Sequence, residues 1–99
     1  MVQMTNGLRY VPEEVTIAVG QSIVWTNVAS MVHTVTADPS LAKDRKDVQL
    51  PEGAQPFNSG NIAPGGTFRR TFDVPGLYVY FCIPHETSGM VGRINVRQR

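Results

Sequence analysis

The sequence is short of the residues that most often carry chemistry. Among its 99 residues are one cysteine, two histidines and one tryptophan. A single cysteine excludes any internal disulfide, so cysteine usage neither demands nor forbids an oxidising compartment. No apolar run approaches the roughly 20 residues that a membrane helix needs, and the opening lacks the charged-then-apolar pattern of a signal peptide. The chain as given reads as soluble, with no membrane span and with any targeting segment absent from it. That absence says little about location, because patterned sequence begins almost at Met1. Charge is scarce and balanced as well: 17% of residues are charged and the formal net charge is +1. Such a balance gives no reason to expect nucleic acid or an anionic membrane as the main partner. The length suits one domain spanning 1–99, with no room for a second core.

Period-2 alternation is abundant, while a helical stripe long enough to pack is missing. Val15, Ile17 and Val19 alternate with Thr16 and Ala18; Gly20 and Gln21 break the run, and Ile23, Trp25 and Asn27 share the next face. Residues 33–37 resume the alternation, which puts His33 at a strand start, until Asp38 and Pro39 end it. Residues 67–74 form another strand with Phe68 and Phe72 on one face, where Arg70 shares their parity and conflicts with it. From Leu77 to Cys82 both faces are bulky, as expected of a central strand. Gly89 to Val96 closes the domain, with Ile94 and Val96 inward. Between these runs, residues 38–61 lose the pattern and hold Pro39, Pro51, Gly53, Pro56 and Gly60 around a charged centre. A loop longer than about 15 residues is unusual in a compact domain, so it reads as a cover over a sheet edge or a solvated insertion, with one helical turn expected near 40–43. The expected fold is all-β, a two-sheet Greek-key sandwich of seven to eight short strands.

The scarce residues are concentrated. Cys82, His85 and Met90 fall within one nine-residue segment, with two residues between the first pair and four between the second, and His33 lies far upstream. Taken singly, each has an ordinary explanation: a lone Cys ending an apolar strand is usually inert core, a solitary His is usually satisfied by hydrogen bonds, and a Met fills gaps. Taken together, one thiolate, two imidazoles and one thioether are the donor set of a trigonal blue-copper centre with a weak axial Met. Sulfur donors hold Cu(I) while imidazoles accept Cu(II), so one copper ion can serve in both states at His33, Cys82, His85 and Met90. With all four positions taken by protein, no open site is left for a substrate, and the reading is not an enzyme.

The chain resembles the cupredoxins, and within them it is most similar to the plastocyanin family. The resemblance is carried by Tyr10-Val11-Pro12 leading into Val15, Ile17, Val19 and Gly20, by Ile23 to Asn27, by His33, and by Pro75 to His85 continuing through Gly89-Met90-Val91-Gly92. It spans nearly the whole chain except 38–61. The resemblance implies a one-electron carrier shuttling between larger redox complexes, with His33, Cys82 and His85 as equatorial ligands and Met90 axial. It also implies that electrons leave through His85, set in an apolar surface of Met31, Val32, Pro84 and Leu8 where a redox partner docks. A cytochrome, photosystem or oxidase would suit, in the periplasm, the thylakoid lumen or at a cell surface, and the carrier is expected to be a monomer. The alternative is a copper-binding module of another kind, either a copper carrier or a domain excised from a larger oxidase or reductase; a metal-free binding sandwich is a third reading.

Beside the inward Arg70, three departures from the family pattern stand out. Thr34 follows His33 where an asparagine is usual, which puts in doubt the tie between the ligand loops. Phe81, on the outward parity, holds the place of a tyrosine beside an acidic surface. Lys43, Asp44, Arg45, Lys46 and Asp47 mix their charges, so an acidic docking patch is missing.

Overall fold

A computed structural model describes residues 1–98. Nine short strands form two sheets: β1 Val2–Met4, β2 Tyr10–Val11, β3 Glu14–Ala18, β4 Ser22–Asn27, β5 Thr36–Ala37, β6 Phe57–Asn58, β7 Thr67–Thr71, β8 Gly76–Phe81 and β9 Val91–Arg97. One sheet runs β2-β1-β4-β7 and the other β3-β9-β8-β5-β6. The chain passes repeatedly from one sheet to the other, and β1 lies parallel to β4 as β3 does to β9. The sequence leads one to expect seven or eight strands; the excess comes from short pieces such as β1, β2 and β6, in which alternation has too few residues to register.

Alternation sets the packing where strands are long enough. In β4 burial alternates strictly, with Ile23, Trp25 and Asn27 inward. Trp25 and Tyr10 from one sheet meet Tyr80 of the other with ring centroids 5.5 and 4.5 Å apart, both edge-to-face. Trp25 Nε1 donates to the Tyr80 hydroxyl at 3.1 Å, so the largest buried rings also satisfy their polar atoms. Tyr80 fits because its cross-strand partner is Gly92: a Cβ there would run into the Tyr80 ring.

Several expectations are corrected. Residues 38–61 hold more structure than expected: the helical turn expected near 40–43 stands at Pro39–Leu41, and with it come a second 3-10 turn at Arg45–Asp47, β6, and a bridge from Gln49 to Val79. Asp38 and Asp44 cap the two turns by accepting from the N–H groups of Ser40 and Lys46. Held in this way, the segment runs alongside β8, where Gln49 and Val79 exchange backbone bonds of 3.0 and 2.9 Å. Val79 and Phe81, on the outward parity, are buried all the same, and Phe81 is no surface residue. The strand beginning at Thr67 stops at Thr71. Arg70 does point inward, half-buried, with its guanidinium 4.3 Å from the centroid of the Phe57 ring and 5.9 Å from that of Phe72. Stacking on aromatic faces offsets part of the cost of removing the charge from water.

Candidate metal centre

Cys82 follows β8 directly, at the strand's end. Ile83–Ser88 then winds as a 3-10 segment with Pro84 in its first turn and a kink at His85, and Gly89, at φ 82°, ends it in the left-handed region that glycine tolerates. The neck of this loop is closed by Cys82 N–H donating to the Met90 carbonyl at 3.1 Å, while His85 N–H donates to the Cys82 carbonyl at 3.1 Å. Cys82 and Met90 are fully buried and His85 is half-exposed.

His33 enters from elsewhere. It does not start a strand: it forms an isolated two-way bridge with Ile62, N–H to carbonyl at 3.2 and 2.8 Å, three residues before β5. Buried Asn27 holds this corner together. Its amide donates to the carbonyls of Met31 and Ile62 at 2.8 and 2.9 Å, and its carbonyl accepts from Ala29 N–H at 2.9 Å.

Three donor atoms converge. Cys82 Sγ lies 3.5 Å from His33 Nδ1 and 3.4 Å from His85 Nδ1, and the three donor atoms all sit within 4.8 Å of one another. His33 Nε2 stands 3.0 Å from the Thr5 carbonyl oxygen, which can only accept. Nε2 therefore carries the proton, and a neutral His33 presents a bare Nδ1 lone pair toward the sulfur. Burial holds His33 below the ordinary imidazole range, against the Thr5 contact and with the help of neighbouring His85, which favours that neutral form.

The sulfur has its own support. Burial pushes the Cys82 thiol up, while the Thr34 amide, the His85 backbone and the Thr34 hydroxyl pull it down. Thr34 N–H donates to Sγ at 3.3 Å, Ile83 N–H donates to Thr34 Oγ1 at 2.9 Å, and Tyr10 OH donates to the Thr34 carbonyl at 2.6 Å. The hydroxyl thus supplies a tie between the two ligand-bearing segments that the missing asparagine had put in doubt. A buried thiol, reluctant to ionise alone and faced by two Nδ1 atoms, is a donor set that a soft cation would complete by displacing the proton.

On the far side of the loop, buried Glu86 takes two oxygens to the Lys43 N–H, at 2.9 and 3.0 Å, and one to the Asp44 N–H at 2.9 Å. Burial works against its charge, but these amides and the Asp47 carboxyl outweigh it and hold Glu86 below its ordinary value; Asp47 is raised, by its own burial and then by Glu86. The 38–47 segment is thereby fastened to the residue next to His85. Sequence reasoning missed Asn27, Thr36 and Glu86 as supports. The only signal was a polar residue at inward parity for Asn27; Thr36 shares the outward face of its cross-strand partner Phe81, and nothing marked Glu86.

Of the apolar surface named from the sequence, Val32 and Pro84 are exposed and Leu8 and Met31 half-buried. Among the described residues, no helix is long and apolar enough to cross a membrane.

Comparison with known proteins agrees with this geometry. The chain is 34% identical over 93 residues to a chloroplastic plastocyanin of Tetradesmus obliquus, spanning 61% of that longer protein, and 31% identical over 93 residues to a plastocyanin of Scenedesmus fuscus, spanning 91% of it; each alignment covers 94% of this chain. Among solved structures, a purple cupredoxin from Nitrosopumilus maritimus superposes with a TM-score of 0.74 at 28% identity, covering 96% of each chain. A reduced amicyanin variant gives a TM-score of 0.75 at 23% identity, covering 97% of this chain and 79% of its own, a likeness of fold alone. The family profile for copper binding proteins of the plastocyanin/azurin family matches residues 1–97, and the chain belongs to that family.

Proposed function

We propose that the chain is a one-electron carrier in which His33, Cys82, His85 and Met90 hold a single copper ion. The observation that carries this reading is the convergence of His33 Nδ1 and His85 Nδ1 on Cys82 Sγ at 3.5 and 3.4 Å. Bound there, copper supplies a one-electron couple between Cu(I) and Cu(II). The chain's residues keep the donors fixed: Thr5 orients His33, Thr34 holds the thiolate by a hydrogen bond, and the Cys82–Met90 neck closes the loop. Fixed donors suit electron transfer because little has to move between the two states. The activity is carriage, not catalysis, since four side chains leave no position for a substrate.

His33 and Cys82 are fully buried and His85 is half-exposed, so His85 is the exit. A redox protein of cytochrome, photosystem or oxidase type docks on the apolar surface of Val32, Pro84, Met31 and Leu8, in a small transient contact with a monomer. The chain acts as one domain in an extracytoplasmic compartment.

Spectroelectrochemistry of the copper-loaded protein tests this reading. Reversible one-electron reduction with exchange to a soluble cytochrome is expected, and Val32→Asp should slow that exchange without moving the reduction potential. Copper bound without reversible electrochemistry would favour a copper carrier and overturn the proposal.

A further inference from the structure

Thr34 is joined to a chain of side chains that runs away from the sulfur. Its Oγ1 accepts from Ile83 N–H at 2.9 Å and lies 2.9 Å from Thr36 Oγ1; Thr36 in turn donates its hydroxyl to Asn58 Oδ1 at 2.9 Å. That last donor fixes the direction of the whole series. Since the Thr36 proton is given to Asn58, the Thr34–Thr36 bond must be donated by Thr34, and the order reads Ile83 N–H to Thr34 O–H to Thr36 O–H to Asn58 oxygen. Thr34 and Thr36 are buried, whereas Asn58 is exposed.

The outer end is itself held. Asn58 Oδ1 also accepts from Gly60 N–H at 3.0 Å, and Ser59 Oγ accepts from Val35 N–H while donating to the Gly60 carbonyl, both at 2.8 Å. With Tyr10 on its carbonyl and Cys82 on its amide, Thr34 has every polar group committed. The position of its N–H against the sulfur therefore depends on where its hydroxyl is pulled, and aligned hydrogen bonds polarise one another.

We infer that Thr36 and Asn58 are positioning residues that, through Thr34, set the hydrogen bond received by the Cys82 sulfur. The inference rests on the copper-site reading above for its electrochemical consequence, but not for its structural one. Thr36→Val keeps the side-chain shape and removes the acceptor for Thr34. A sulfur that receives less from Thr34 N–H is a stronger donor, which favours the oxidised metal.

The test has two arms. In the copper-loaded protein, Thr36→Val is expected to lower the reduction potential and move the sulfur-to-copper absorption to longer wavelength, with Asn58→Ala shifting both the same way and Thr36→Ser restoring them. In the metal-free protein, followed by amide hydrogen exchange, Thr36→Val should speed exchange at Ile83 and Thr34 by up to about tenfold, the scale of one lost hydrogen bond. Unchanged exchange together with an unchanged potential in Thr36→Val would overturn the inference. If that variant does not fold, Asn58→Ala, altered at an exposed site, decides in the same two measurements. A wild-type protein that takes up no copper would overturn the copper reading, and the exchange arm would still decide the relay.

Discussion

His33 Nε2 donates to the Thr5 carbonyl oxygen at 3.0 Å, and this bond turns Nδ1 of the same ring toward the Cys82 sulfur 3.5 Å away. A residue from the turn after β1 thus chooses the tautomer of a ring at the opposite side of the donor cluster. The choice is made before any metal arrives.

Asn27 keeps that ring in place. Replacing it by Leu leaves the carbonyls of Met31 and Ile62 without their amide donor. The Ala29 N–H also loses its acceptor, while the Ile62 carbonyl keeps the His33 N–H; the expected cost is roughly 1–3 kcal/mol for each group left without a partner, read as a fall in the urea midpoint of the metal-free protein. Unchanged stability would mean that the corner near His33 is held by other contacts.

Glu86 gives stability a pH dependence of known sign. Its folded value lies below its ordinary one, so the folded state binds fewer protons than the unfolded chain there; the stabilisation is present above the unfolded value and is lost as pH falls through the folded one. Asp47 is raised, so its contribution runs the other way and fades as pH rises through its folded value. Glu86→Gln should therefore unfold at lower denaturant at neutral pH and show a smaller loss of stability on acidification than wild type. Equal acid sensitivity in the two proteins would assign the effect to other carboxyls.

Gly92→Ala tests the central packing. The added Cβ runs into the Tyr80 ring, which is pinned between Tyr10 and Trp25. Overpacking of this kind costs about 1–3 kcal/mol, and near 100 residues each kcal/mol lowers Tm by roughly 4–8 °C. A variant melting with wild type would show that β8 and β9 can part more easily than their register implies.

Met90→Gln separates axial from equatorial roles. The protein should still take up copper and keep a visible absorption, with its reduction potential shifted, because the axial donor tunes a centre that Cys82 and the two histidines hold. Loss of copper uptake would contradict an axial role for Met90.

Much of this was legible from residue order. β4 and β8 could be read from alternation and from bulky residues on both faces, and the sheet-on-sheet fold followed. The short β1, β2 and β6 could not, since two or three residues carry no period. Phe81 was misjudged because parity tells which face a residue points to, not whether that face is exposed; the 38–61 segment runs beside β8, fastened where Glu86 accepts from Lys43 and Asp44, a contact between segments 43 residues apart. The cluster of scarce ligand types in 82–90 pointed to chemistry unaided. The orientation of His33 rests on backbone carbonyls of Thr5 and Ile62, which any residue type could supply, so no sequence signal marks it.

The most direct measurement is the visible spectrum on adding one equivalent of Cu(II) to the purified protein and to Cys82→Ser. The wild type should develop an intense thiolate-to-copper absorption that bleaches on reduction and returns on oxidation, while Cys82→Ser, lacking the sulfur donor, should stay without it. A colourless wild type, or the same colour in Cys82→Ser, would contradict the assignment of the centre.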